Sequence, residues 1–177
     1  MNDKPAVLVL GIQGMLGSMV YHFLRHHTDF EVVGTSREAD AMPPEVVSFD
    51  VDEFLQEPDP AFYLKSFDYV INCIGIIKPY CKDNDPAGVQ RAIKVNATFP
   101  HVLAKYTETS STKIIQIATD CVYSGKGGKY TEGNAHDALG VYGKTKSLGK
   151  IFYASNFLNI RCSFNHRSGI AGEIEFT

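Results

Sequence analysis

The seven residues Gly11-Ile12-Gln13-Gly14-Met15-Leu16-Gly17 constrain this chain more than any others. They follow Ala6–Leu10, a continuous apolar run that suits a strand buried on both faces. They lead into residues 18–27, where Met19, Val20, Phe23 and Leu24 recur at helical spacing. In such a place Gly11 permits a tight turn, Gly14 lets the backbone approach a pyrophosphate, and Gly17 lets helix pack closely on strand. The helix N-terminus then offers unpaired N–H groups and a positive dipole end to phosphates. The bland alternative is a purely structural turn.

The rest of the chain repeats the alternation. Residues 30–34, 46–49, 67–71, 113–117 and 157–160 read as strands, and 90–106 and 141–155 as helices. Ile93, Ala97, Val102 and Leu103 form the expected apolar side of the longer helix. This order predicts an α/β protein with a parallel sheet and right-handed crossovers. Residues 38–44 read as a surface link, 80–88 as a charged exposed stretch, and 124–128 as a flexible loop. Loops after the carboxyl ends of parallel strands are where ligands bind in such sheets. A chain of 177 residues is expected to form one domain with one sizeable core.

Composition removes several classes of function. Seventeen Lys and Arg against 20 Asp and Glu give a net charge of −3, which argues against nucleic acid or a membrane surface as partner. The longest apolar run is too short to span a bilayer, and Met1-Asn2-Asp3-Lys4-Pro5 has no signal-peptide pattern, so a cytoplasmic protein is expected. Cys73, Cys81, Cys121 and Cys162 form no C-x-x-C pair and read as reduced thiols rather than disulfides or zinc ligands. No metal site is expected. His22 and His26 have i, i+4 spacing, but with His27 they read as a solvated helix face. Cys121 beside Asp120 lacks the nearby His that would activate a thiol. The sequon Asn96-Ala97-Thr98 reads as chance.

The second strand ends in Gly34-Thr35-Ser36-Arg37-Glu38 rather than with the acidic residue usual for NAD. The Ser36 hydroxyl followed by the Arg37 guanidinium suits a 2′-phosphate, which favours NADP. Glu38 keeps NAD open, and Arg37 also reads as a solvated loop charge. Asp50, followed by Val51, is placed either to meet an adenine amino group or to cap the next turn. Tyr142-Gly143-Lys144-Thr145-Lys146 puts a phenol and an ammonium on one helix face. The ammonium is expected to lower the phenol pKa toward neutrality. Ala118-Thr119-Asp120, after the fifth strand, adds a hydroxyl able to hold a substrate carbonyl.

Taken in order, these features resemble the extended short-chain dehydrogenases/reductases, and among them the dTDP-4-dehydrorhamnose reductase family of sugar-nucleotide reductases. The match rests on Gly11 to Gly17, Val70-Ile71-Asn72-Cys73-Ile74-Gly75, Val95-Asn96-Ala97-Thr98-Phe99-Pro100, Thr119-Asp120-Cys121-Val122-Tyr123-Ser124-Gly125, Gly128-Lys129-Tyr130-Thr131-Glu132 and Tyr142 to Lys146. The resemblance implies a Rossmann-type doubly wound sheet over residues 1–163. It implies that the smaller C-terminal substrate domain is largely missing and that 164–177 form an atypical tail.

It also implies that NADPH reduces the 4-keto group of a nucleotide-linked 6-deoxy-hexulose, within polysaccharide and deoxysugar biosynthesis. By the same resemblance Tyr142 protonates the alkoxide, Lys146 tunes Tyr142 and holds the nicotinamide ribose, and Thr119 bonds the substrate oxygen. Asp120 and Cys121 face the substrate. Gly11, Gln13, Gly14, Met15, Leu16, Gly17, Ser36, Arg37, Asp50, Val51, Cys73, Ile74, Gly75, Asn96, Tyr142, Lys146 and Arg161 attend the cofactor. Assembly as a homodimer is left open. Lys150 stands where the family has Glu, and the stretch from Phe164 departs from it. A noncatalytic dinucleotide-binding regulator or a truncated reductase remnant is the alternative reading.

Overall fold

The computed structural model describes residues 4–57 and 61–162. Six strands, β1 (Ala6–Leu10), β2 (Glu31–Ser36), β3 (Val46–Ser48), β4 (Tyr69–Asn72), β5 (Lys113–Thr119) and β6 (Phe157–Cys162), form one sheet in the order β3-β2-β1-β4-β5-β6. Every neighbouring pair is parallel. The order reverses direction at β1, so the crevice between β1 and β4 is the place where a ligand meets strand ends and helix termini together.

β1 is apolar throughout because both of its faces are covered. Leu8 and Leu10 point into a core with Phe54, Leu64, Val70, Phe99, Leu103 and Ile114. Val7 and Val9 point the other way, onto Ile12, Tyr21, Val32 and Val46. Helix α1 (Met15–His27) packs on this second face. Helices α2 (Val51–Gln56) and α3 (Ala61–Leu64) precede β4, and α4 (Pro86–Ala92) and α5 (Phe99–Thr107) precede β5. Phe49, Phe54 and Phe99 pack ring on ring, the last two edge to face at 5.5 Å. Helix α6 (Val141–Leu148) completes the described elements.

Several expectations need correction. The buried side of α1 is Gly17 and Tyr21, with Val20 and Leu24 beside them, whereas Met19 and Phe23 are exposed. Tyr21 can turn inward because its hydroxyl accepts a hydrogen bond from Arg25 at 2.6 Å. His22, His26 and His27 lie on the exposed side, as expected of a solvated face. The long helix begins at Pro86, four residues early, and contains a π-helical stretch from Ile93 to Thr98. The wider turn buries Val95, Asn96 and Ala97 in succession and leaves Ile93 outside.

Helix α6 stops at Leu148 instead of reaching 155. The reason lies on β6, where the Asn159 side chain accepts from Ile151 N–H at 3.4 Å and donates to its carbonyl at 2.7 Å, pulling the chain out of the helix. Strands β2, β5 and β6 each run two residues further than expected, which puts Thr35, Ser36, Thr119 and Cys162 on the sheet. The segment 124–128 is tied down rather than open. Tyr123 stacks on Tyr130 at 4.4 Å, and the Tyr130 hydroxyl accepts from Gly127 N–H. The four cysteines are free thiols. No described helix is long and apolar enough to cross a membrane. The expected tail, residues 164–177, lies outside the described residues.

The glycine turn is sterically demanded at two positions. Gly11 has φ +83° and a side chain there would meet Ile74. A Cβ on Gly17 would run into the Gly11 carbonyl, whereas one on Gly14 would make only an ordinary contact at 3.5 Å. Gly17→Ala is therefore expected to lower stability by on the order of 1–3 kcal/mol through overpacking. Gly14→Ala should cost much less. Urea midpoints for the two variants test this, and equal losses would count against the steric account.

Candidate functional site

A cleft of about 240 Å³ opens where the sheet order reverses. Its floor is the glycine turn, held by Thr35: Gly11 N–H donates to the Thr35 hydroxyl at 3.0 Å and Ile12 N–H to its carbonyl at 3.0 Å. Helix α1 starts at this cleft without a side-chain cap, so its first N–H groups face the space above Gly14. Gly11, Gln13, Gly14, Ser36, Arg37, Asp50, Val51, Cys73, Ile74 and Gly75 all line the cleft. Met15 and Leu16 contribute at most their helix N-terminus, and Gly17 acts from beneath as a packing point.

The two readings of Asp50 separate here. Its carboxylate accepts from Asp52 N–H at 2.6 Å and Glu53 N–H at 3.4 Å, which makes it the N-cap of α2. Ser36 is buried, and its oxygen accepts from Glu38 N–H at 2.9 Å, leaving the hydroxyl proton to donate. Arg91, on the last turn of α4, also lines the cleft, so two guanidinium groups border it rather than one. Arg91 falls inside the expected helix 90–106, but nothing in the sequence marks it as facing the cleft.

Asn96 lies behind the cleft wall, 2% exposed. Its carbonyl oxygen accepts from Ile76 N–H at 2.8 Å, and its amide donates to the Ile76 carbonyl at 2.9 Å and to the Thr145 hydroxyl at 3.2 Å. Both ends of the side chain are thus committed to holding the wall and α6. Asn72, fully buried, does similar work by donating to Gln116 at 2.8 Å and accepting from Ile74 N–H at 3.0 Å.

The structure brings Thr119, Tyr142 and Lys146 into one neighbourhood. The Thr119 hydroxyl donates to the Asp120 carboxylate at 3.4 Å and lies close enough to Tyr142 to act on its phenol. The Thr119 oxygen also accepts from Cys121 N–H at 3.2 Å. Lys146 donates to the Ile117 carbonyl at 2.8 Å, with its Nζ close to Gly75 on the cleft wall. The electrostatics differ from expectation. Burial, followed by Thr119, Cys121 and Asp120, sets the phenol, and the net effect raises its pKa above the usual 10. Burial also lowers Lys146, to about 8. Cys73 is pushed up to about 12 by burial and by Cys162. Tyr142 is therefore a protonated phenol at neutral pH, equipped to donate a proton rather than to take one.

Arg161 is placed elsewhere. Its guanidinium lies 4.9 Å from the Tyr123 ring centroid and donates to the Tyr123 hydroxyl at 2.9 Å, with His136 at 3.4 Å. Burial, then Lys150 and Arg161, lowers the His136 pKa. Asp120 and Cys121 occupy a short turn directly after Thr119. Cys121 and Tyr142 line a second cavity, of about 370 Å³, between residues 78–83 and the segments after β5.

A parallel sheet in this order, with a glycine turn under an uncapped helix, defines a Rossmann-type fold, and Thr119, Tyr142 and Lys146 gather at its strand ends. The family model for the RmlD substrate binding domain matches residues 5–161, and the chain belongs to that family. No curated protein sequence matches it. A hypothetical dTDP-4-dehydrorhamnose reductase from Sulfolobus tokodaii superposes with a TM-score of 0.72 at 21% identity, covering 90% of this chain and 55% of its own. A dTDP-4-dehydrorhamnose reductase from Clostridium acetobutylicum gives 0.70 at 26% identity, covering 88% and 52%. One from Bacillus anthracis, in complex with NADP, gives 0.72 at 19% identity, covering 92% and 55%. The chain therefore spans about half the length of these structures.

The buried ammonium makes a test independent of any ligand. Lys146 titrates near 8 when folded against an ordinary 10.5, so the unfolded chain binds more protons between those values. The penalty on the folded state is complete below pH 8 and fades as pH rises to 10.5. Relative to the native chain, Lys146→Met should be most favourable near pH 7 and lose that advantage through this window. A thermal-midpoint difference that stays constant with pH would contradict the burial.

Proposed function

We propose that this chain carries the NADPH-binding and acid–base part of a sugar-nucleotide reductase, acting on the 4-keto group of a nucleotide-linked 6-deoxy-hexulose. Residues 1–163 form its dinucleotide-binding unit. The observation that carries the reading is the Thr119 hydroxyl at the end of β5 beside the Tyr142 phenol, on a helix whose next turn holds the buried Lys146. Family membership supports it.

The cleft suits the cofactor on its own terms. Gly14 leaves room above the turn, the α1 N–H groups are free to donate to phosphate oxygens, and Ser36 has a hydroxyl proton to give. Arg37 is exposed and lines the same cleft, in reach of a 2′-phosphate. When bound, NADPH supplies the hydride. The remaining work belongs to the chain. Thr119 orients the substrate carbonyl through its hydroxyl. Tyr142, kept protonated by burial, gives its proton to the oxygen as charge develops there. Lys146 stands between the cleft wall and Tyr142 and holds ribose hydroxyls as a donor.

Absorbance-monitored NADPH oxidation with a 4-keto-6-deoxy nucleotide sugar tests the reaction. Tyr142→Phe is expected to slow it by on the order of 10²–10⁴ with NADPH binding nearly unchanged. Binding without turnover of any such substrate would favour the noncatalytic alternative. Cofactor choice has its own test: Arg37→Ala should weaken NADPH by on the order of 1.5–3 kcal/mol and leave NADH nearly as it was. Equal weakening of the two would refute the assignment.

A further inference from the structure

The second cavity has a charge pattern that an uncharged keto sugar does not explain. Lys78 and Lys82 enter it from the segment before α4, and Lys126 from the loop after β5. All three are exposed. Among the described residues the ion pairs are Arg25–Glu45 and Lys94–Asp52, so none of the three lysines is matched by a carboxylate at ion-pair distance. Asp83 lines the same cavity, leaving the lining with an excess of two positive charges in a chain whose net charge is −3.

Both loops that present the lysines are fastened. Asp83 accepts from Val141 N–H at 2.9 Å, the first amide of α6. The carboxylate thereby ties the 78–83 segment to the helix that carries Tyr142. On the other side, Ser124 N–H donates to Asp137 at 2.7 Å and Gly127 N–H to the Tyr130 hydroxyl at 3.0 Å, flanking Lys126 on both sides. Like charges held around one opening repel each other until an anion enters, and a cavity concentrates their field. Tyr142 lines the same cavity, so an anion held by these lysines would sit beside its phenol.

We infer that Lys78, Lys82 and Lys126 grip the diphosphate of a nucleotide-linked substrate and so align its sugar on Tyr142. This rests on the reductase reading for the identity of the sugar but not for the binding of the diphosphate. Lysine suits the task as a mobile point charge with three donors, able to follow phosphate oxygens across a wide opening.

Site-resolved lysine acylation of the full chain, read by peptide mass spectrometry, tests the assignment without turnover. Inorganic pyrophosphate at millimolar concentration should slow acylation of Lys78, Lys82 and Lys126 by roughly tenfold, the factor one charge-assisted hydrogen bond supplies. Lys65 and Lys105 should be unaffected. A dTDP-linked sugar should protect the same three at lower concentration, because its nucleoside and sugar add contacts. Replacing the three by Gln should remove the pyrophosphate effect on the cavity, read as protection of Cys121 from a thiol reagent. Equal acylation with and without pyrophosphate, protection spread over all lysines, or protection by pyrophosphate but not by the nucleotide sugar would each overturn the proposal. NADPH binding in the same samples is followed separately by its fluorescence. Its absence would sink the reductase reading while leaving the lysine result legible.

Discussion

Burying a primary amide costs a few kcal/mol unless each of its groups finds a partner. Asn96 meets that condition in a way that joins the two halves of the site. Its pairing with both backbone groups of Ile76 fixes the segment after β4, which is a wall of the cleft over the glycine turn. Its third bond goes to Thr145, next in sequence to Lys146 and three residues beyond Tyr142. Helix α6 is thus anchored to the cleft wall through one side chain. Close packing enforces the same placement from another direction, since any side chain on Gly149 would collide with the Asn96 carbonyl. The π-helical stretch is what allows this, because the added residue per turn keeps Asn96 facing inward between Val95 and Ala97.

With that frame in place, burial acts on Tyr142 and Lys146 in opposite chemical senses but toward one outcome. The phenol is held in its neutral, proton-bearing form. The ammonium is brought to about 8 and is satisfied by the Ile117 carbonyl. The usual expectation for a Tyr-x-x-x-Lys pair is a lysine that pulls the tyrosine toward phenolate. Here desolvation dominates, because charge on either group is costly in a dry interior and the Lys146 donor is already engaged. A protonated phenol is the form that carbonyl reduction needs.

Much of this was legible in the letters, and the legible parts share a cause. The glycine turn is written by steric necessity: Gly17 faces the Gly11 carbonyl and Gly11 sits at positive φ. β1 is written by burial on two faces. Where the reading failed, a polar group had gone inside. Thr35 and Ser36 looked like the loop after β2 but belong to the strand, since the Thr35 hydroxyl and carbonyl are needed to pin the turn. Tyr21 displaced Met19 and Phe23 from the buried side of α1 because Arg25 satisfies its hydroxyl. The end of α6 depends on Asn159, 11 residues past Leu148, and no local pattern contains that pairing. The π turn leaves no compositional trace at all.

The interior polar groups and the rim charges divide the labour of the site. Thr35, Asn72, Asn96 and Gln116 are nearly inaccessible, and each bonds to backbone or to another of the set, which fixes positions. Arg37 and the lysines of the second cavity are exposed and border open space, which suits them to recognition. Changing a rim charge removes an attraction but disturbs none of these buried bonds, whereas changing Asn96 strands both backbone groups of Ile76. Ligand preference in such a chain can therefore drift through its rim while Tyr142 and Lys146 stay where the buried amides put them.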